Sequence, residues 1–306
     1  MKVLSALLMT LIVSSSLAAQ SACSAATTVV IREARNRFIM DATAADLTVT
    51  VEKRAVKIDS VVRLDSARVL LLVDESVSMT DSRMGRGLPF VLAAEALRYL
   101  PQSSPVAVLT FADKIQRRTE FSTDRKPLLD LVQQTMPAGH TALLDALTVG
   151  IQSFGSHQPG DTILVLSDAS DNRSHTSMET VRKAAVAAGV RVSFFVAAQP
   201  KIMEEGGRGQ AISSEIARSS GGTNGFSSLP IYLDQKELKA LDVEIQVFVA
   251  QFSGLYEVKI SAPSVSGEAK IHVAAERVIA GKRKRLEVGY PPNALFHCQE
   301  PQPIAR

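Results

Sequence analysis

The 306-residue chain has no tryptophan, two cysteines, five histidines and a net charge of only +3. Each scarcity excludes something. So small a charge gives no field for holding nucleic acid or an anionic membrane. His140, His157, His175, His272 and His297 show no paired spacing, which argues against a zinc site. No G-x-S-x-G surrounds a serine, and Ser76 has no evident histidine base, so hydrolase chemistry finds no support. Gly206, Gly207, Gly209, Gly221 and Gly222 lack the Lys-Ser/Thr of a phosphate-binding loop and read as loop and helix-stop glycines. Beyond the first 22 residues, no apolar run is long and uncharged enough to span a bilayer. With 46% apolar and 21% charged residues, the chain is nevertheless of the folding kind. Its length suits one large domain and a smaller appendage.

Residues 1–22 read as a secretory signal peptide. Lys2 is the positive start, residues 3–13 are the apolar segment, and residues 14–19 offer cleavage after Ala18 or Ala19. The remainder is expected outside the cytoplasm, in the periplasm, secreted or associated with the envelope. An oxidising compartment permits a disulfide between Cys23 and Cys298. Two unpaired thiols near disordered ends are an equal alternative. A lipid-bearing Cys23 is a third, weakened by Gln20 where such signals want an aliphatic residue.

Residues 27–66 alternate with period two and read as a β-rich lead-in. Residues 67–250 alternate strands and helices. The apolar runs 69–73, 106–111, 162–166 and 190–197 read as strands buried on both faces, with a hairpin partner at 115–121 and a short strand near Phe226. Helices are expected at 88–100, 126–134, from Thr141, 177–188 (stopped by Gly189), 212–219 and 233–249. This pattern specifies an α/β fold with a doubly wound, mostly parallel six-stranded sheet. Residues 251–290 read as a small C-terminal β-unit, with a charged turn at 281–285, and 291–306 as a Pro-rich disordered tail. Asp171 and Asn172 are expected to cap the helix that follows them.

The strand at 69–73 ends in Asp74, Ser76 and Ser78, oxygen donors of the sort a hard divalent cation such as Mg²⁺ prefers. Ligands of such sheets bind beyond the carboxyl ends of the strands. The strand at 162–166 likewise leads to Asp168, and Thr141 opens a helix between the two. If these strands are neighbours, all five residues meet. Taken singly, each is a good turn former or helix cap.

Asp-x-Ser-x-Ser at 74–78, then Thr141, then Asp168, on this background, resembles the von Willebrand factor A (VWA) domain and its metal-ion-dependent adhesion site over 67–250. Arg37-Phe38, Ala45-Asp46-Leu47, Lys57-Ile58, Leu255-Tyr256 and Gly289-Tyr290 are similar to exported VWA-related proteins of Acidobacteria. The resemblance implies that Ser76, Ser78 and Thr141 coordinate Mg²⁺, Mn²⁺ or Ca²⁺ directly or through water, while Asp74 and Asp168 supply charge. It implies an open coordination position for a carboxylate from a partner protein, and a binding protein rather than an enzyme. Glu75 and His140 are the candidate partner contacts. Glu75 and Asp145 are also candidates to hold metal-bound waters. Family members often carry glycine where Val77, Ala169 and His140 stand, so the loop geometry is open. The rival readings are an envelope assembly module with a vestigial site and, with less support, a metal-dependent hydrolase.

Overall fold

The computed structural model describes residues 23–33, 37–79, 87–134, 136–198, 207–228, 234–263 and 265–298. The expected signal peptide and the residues past 298 lie outside them. Strands β1 (Cys23–Glu33), β2 (Arg37–Phe38), β3 (Leu47–Val51), β4 (Arg54–Ala55) and β5 (Lys57–Arg63) come first. The α/β unit follows as β6 (Val69–Asp74), α1 (Leu88–Tyr99), β7 (Val106–Phe111), β8 (Ile115–Arg118), α2 (Lys126–Val132), α3 (Leu143–Gln152), β9 (Thr162–Ser167) and α4 (Met178–Ala188). It continues through β10 (Arg191–Ala198), α5 (Gly207–Ser220), β11 (Asn224–Ser228) and α6 (Gln235–Val249). Strands β12 (Leu255–Ser261), β13 (Gly267–Ile279), β14 (Lys282–Gly289) and β15 (Asn293–Cys298) close the described chain.

The α/β sheet runs β11-β10-β9-β6-β7-β8, with only β8 antiparallel. Central β6 is apolar on both faces because each face is covered. Leu71 and Val73 join a core with Leu92 of α1 and Leu241 of α6, whereas Leu70 and Leu72 pack with Leu147 of α3, Val181 of α4 and Ile216 of α5. Local chemistry fixes the helix ends. Pro89 sits in the first turn of α1, and an Asp234–Glu237 capping box opens α6. Helix α4 starts at Ser177, whose hydroxyl accepts the Thr180 N–H, and stops at Gly189, which has φ +64°. Ser177, not Asp171 or Asn172, is therefore the cap.

The β-rich segments before and after this unit, read from the sequence as separate, form one nine-stranded sheet. Its order is β4-β3-β13-β14-β1-β12-β5, with β15 beside β1 and β13, and β2 beside β1. The strands interleave for a physical reason. Each segment alone would leave an apolar face and open edges in water, and together they bury Val29, Ile31, Val49, Val258, Ile271 and Val273 in a shared core. Asn293–Cys298, expected within a disordered tail, is a paired strand. Its Ala294 and Phe296 are buried in alternation, a period the flanking prolines mask. Cys23 and Cys298 pair directly across β1 and β15 and form a disulfide.

Two measurements test this sheet. The buried Tyr256 hydroxyl accepts the Ala42 N–H (3.0 Å) and donates to the Ile39 carbonyl (3.0 Å). Tyr256→Phe strands both groups and is expected to cost about 1–3 kcal/mol in denaturant unfolding. Cys23→Ser with Cys298→Ser frees a closure spanning 275 residues. It is expected to lower stability by about 2–4 kcal/mol, a loss that reductant reproduces in the wild type and not in the variant.

Candidate metal centre

Strands β6 and β9 are parallel neighbours with Val73 opposite Leu166, so the next residues, Asp74 and Ser167, face each other at the carboxyl edge. Ser167 Oγ donates to Asp74 Oδ2 at 2.5 Å, and the other oxygen, Oδ1, accepts the Ser76 N–H at 2.8 Å. Asp74 is fully buried. It folds the chain back on itself, and the 3₁₀ turn Val77–Met79 follows. This brings the Ser76 and Ser78 hydroxyls to 3.0 Å of each other, the first buried and the second exposed.

The other loops are tied to this one through their backbones. Glu75 N–H donates to the Phe111 carbonyl (2.7 Å), Ala138 N–H to the Glu75 carbonyl (2.7 Å) and Val77 N–H to the Gly139 carbonyl (3.2 Å). Gly139 has φ +80°, and a Cβ there would lie 2.4 Å from Asp113 Oδ2, so only glycine fits. Asp113 Oδ1 accepts the His140 N–H at 3.0 Å. Thr141 N–H donates to Asn172 Oδ1 (3.1 Å), and the Thr141 carbonyl accepts from the N–H groups of Asn172 and Arg173. Asn172 thus locks the Thr141 loop to the loop after β9.

Asp168 is buried in that loop. Its Oδ1 accepts the Ser170 N–H (2.9 Å), and its Oδ2 is buried with no partner among the described residues. Burial, then the charge of Asp168, push the Asp74 carboxyl up to about 7, against the lowering effect of Ser167 and Ser76. Among the described residues these two carboxylates have no counter-charge, and an orphaned carboxylate oxygen together with the paired Ser76 and Ser78 hydroxyls is the kind of donor set that a divalent cation satisfies. Asp168 and the hydroxyls of Ser76 and Ser78 would hold it, with Thr141 on the adjoining loop. Asp74, both of whose oxygens already accept hydrogen bonds, would add charge and orient the others. Among the described residues no cluster of three His, Cys, Asp or Glu side chains suited to hold a metal exists.

Several expected roles change. Glu75 is buried, so it is neither a solvated loop carboxylate nor a surface contact. Burial pushes its carboxyl up, and the neighbouring Thr110 hydroxyl closes no hydrogen bond to its unpartnered Oε1. His140 is exposed beside Thr141. Asp145 accepts the N–H groups of His175 (3.0 Å) and Thr176 (2.8 Å) and so fastens a loop rather than a metal. Of the three positions where glycine is common, only Ala169 has positive φ, at +62°. Its methyl is buried in the core beneath, which offsets that strain. Helix α5 starts against this loop, where a Cβ on Gly209 would come within 2.6 Å of the Ala169 carbonyl oxygen. Gly207 and Gly209 therefore belong to a helix, not to a loop.

Ser167, Asn172 and Asp113 shape the site; the sequence reading gave Asn172 only a helix-capping role and gave Ser167 and Asp113 none. The available signal was position: Ser167 ends its strand one residue before Asp168. With chelator present, Asp168→Asn keeps the acceptor for Ser170 and removes the repulsion felt by Asp74. It is expected to raise the thermal midpoint at pH 8 relative to wild type, measured by circular dichroism.

Residues 69–170 match the family model of the von Willebrand factor type A domain. No protein with a curated description matches the chain. Among solved structures, the chain is similar to the conserved hypothetical protein BatB from Bacteroides thetaiotaomicron, at 19% identity and TM-score 0.45, covering 60% of this chain and all of that one. It is also similar to an aerotolerance-related membrane protein from Bacteroides fragilis, at 18% identity and TM-score 0.45 over 59% of this chain and 98% of that one. A third is proximal thread matrix protein 1 from the mussel byssus with a zinc-occupied MIDAS motif, at 17% identity and TM-score 0.45 over 69% and 50% of the two chains. The strand order, the covering helices and the family match over residues 69–170 make the α/β unit a VWA-type fold.

Proposed function

We propose that this is an exported VWA protein that binds a partner protein through a divalent cation, Mg²⁺, Mn²⁺ or Ca²⁺, held by Asp74, Ser76, Ser78, Thr141 and Asp168. The observation that carries the reading is the buried Asp168 Oδ2, which has no partner among the described residues, and its repulsion of the buried Asp74 carboxylate with no cation between them among those residues. A bound cation would supply a Lewis-acidic position for an incoming carboxylate. The chain's own residues do the rest. Ser167 and the Ser76 amide hold Asp74, Asn172 holds Thr141, and the backbone bonds to Gly139 and Ala138 keep the loops from spreading. Because Ser76, Ser78 and Thr141 are neutral donors, the cation would keep enough positive charge to attract an anionic partner group.

His140, exposed beside Thr141, and Val77, 58% exposed between the two serines, would border the partner. Binding rather than catalysis is the reading because the donor set is mostly neutral hydroxyls held in place by the surrounding backbone. Export is supported by the signal-like residues 1–22 and by the disulfide, which suits an oxidising compartment. No helix among the described residues is long and apolar enough to cross a membrane.

Calorimetric titration with Mg²⁺, Mn²⁺ and Ca²⁺ tests the centre. Saturable binding is expected in the wild type and none in Asp168→Ala, while Ser167→Ala binds about 10–100-fold more weakly because Asp74 loses its support. Equal titrations of wild type and Asp168→Ala would remove the metal. Capture of a partner undiminished by chelator would instead favour an assembly module with a vestigial site.

A further inference from the structure

The small net charge of the chain hides a local concentration of one sign. Residues 276–285 hold five basic side chains against the single acid Glu276, a net +4 where the whole chain carries +3. They form the far end of the β13–β14 hairpin, and this end leaves the sheet. Strand β3 accompanies β13 only as far as Ala275, and β1 joins β14 only from Glu287 onward. Between those points residues 276–279 and 282–285 pair with each other alone. Four residue pairs carry the ribbon roughly 14 Å past its neighbouring strands. The turn at its tip, Ala280-Gly281, has positive φ at both positions (+51° and +76°), which suits a two-residue hairpin loop.

The basic residues divide into two sets. At the root, Arg277 is neutralised by Asp41 (2.6 Å) and Asp46 (2.9 Å), and Lys284 by Glu33 (2.9 Å). Toward the tip this compensation fails. Lys282 and Arg285 are exposed and make no ion pair among the described residues. Arg283 meets Glu276 only at 3.8 Å, and both side chains are more than half exposed, so the contact contributes little in water. Charges on an open strand edge guard it against pairing with another chain. That role leaves Val278 unexplained. It is 65% exposed at the projecting end. It stands opposite Arg283 on the face turned away from the core of the nine-stranded sheet, whereas its neighbour Ile279 packs against that core. Strand alternation puts Arg285 on the same face as Val278.

We propose that the β13–β14 tip docks on an anionic lipid surface, with Val278 entering the interface and Lys282, Arg283 and Arg285 among the headgroups. An aliphatic side chain ringed by cations fits that boundary, because the long basic stems lie along apolar surface while their charged heads reach phosphate. A nucleic acid would attract the same cations but give Val278 no role, and the ribbon has no Asn, Gln or aromatic side chain to offer a base. A second copy would bring like charges together. One shallow tip makes the contact reversible rather than an anchor. The proposal is independent of the cation site.

The test sediments the full mature chain, in chelator, with vesicles of phosphatidylcholine alone or of phosphatidylcholine and phosphatidylglycerol in equal parts. Binding to the mixed vesicles, none to the neutral ones, and loss of binding at high salt are expected. Each cation near such a surface is worth about fivefold in partitioning, so Arg283→Gln with Arg285→Gln should weaken binding at least about tenfold. Val278→Ser, which leaves the charge unchanged, should weaken it at least about threefold. These positions are exposed, so neither variant should move the thermal midpoint. The chain has no tryptophan, so Val278→Trp supplies a single reporter, and its emission should shift to the blue on the mixed vesicles alone. Equal binding to both kinds of vesicle, undiminished binding in either variant, or no shift in Val278→Trp would overturn the proposal. So would tighter binding to a DNA duplex than to the mixed vesicles, which would make the tip a polyanion contact.

Discussion

The hydrogen bond from Ser167 to Asp74 joins the ends of the two central strands, and the geometry of the carboxyl edge depends on it. It exists because β6 and β9 pair in parallel with Val73 opposite Leu166. A slip of one residue would turn Asp74 out of reach and reverse which leucines meet which helix layer. Leu70, Leu71 and Leu72, all at 0% exposure, prevent that slip. Burying each contributes about 1.5–3 kcal/mol, enough together to offset drawing one carboxylate out of water. Apolar packing in the middle of the strand thus sustains an unfavourable polar arrangement at its tip.

The sheet carries uncompensated charge at both edges. Among the described residues, Asp74 and Asp168 are buried without a cation at the carboxyl end, and Arg191 is buried without an anion at the amino end. Those charges stand too far apart along the strands to serve each other, and each sits among groups that fail to neutralise it. Native interiors rarely tolerate such groups without purpose.

The α/β unit was legible because its signals are local. Continuous apolar runs of strand length, Gly189 after a helical period, and a regular alternation of elements leave little choice of topology. The candidate ligands Asp74, Ser76, Ser78, Thr141 and Asp168 caught the eye for the same reason, each standing near the end of an element. What escaped was whatever depends on pairing across long stretches of chain. Interleaving of the flanking strands requires Val29 and Val258 to find each other over more than two hundred residues, and nothing local announces it. Ser167, Asn172 and Asp113 act through loops brought together by the fold, so their sequence neighbourhoods look like ordinary turns. Glu75 was misread because a carboxylate in a loop is usually solvated, whereas this one is pinned beneath the 138–139 loop. Arg191 hid within an apolar run, where an arginine at the first strand position reads as a strand boundary.

The joining of β1 to β15 has a mechanical corollary. Cys23 and Cys298 sit side by side and are covalently linked, so tension applied from segments beyond both would pass through that bond. The sheets between would feel almost none of it. Such a body can be tugged from its flanks while its folded interior stays slack.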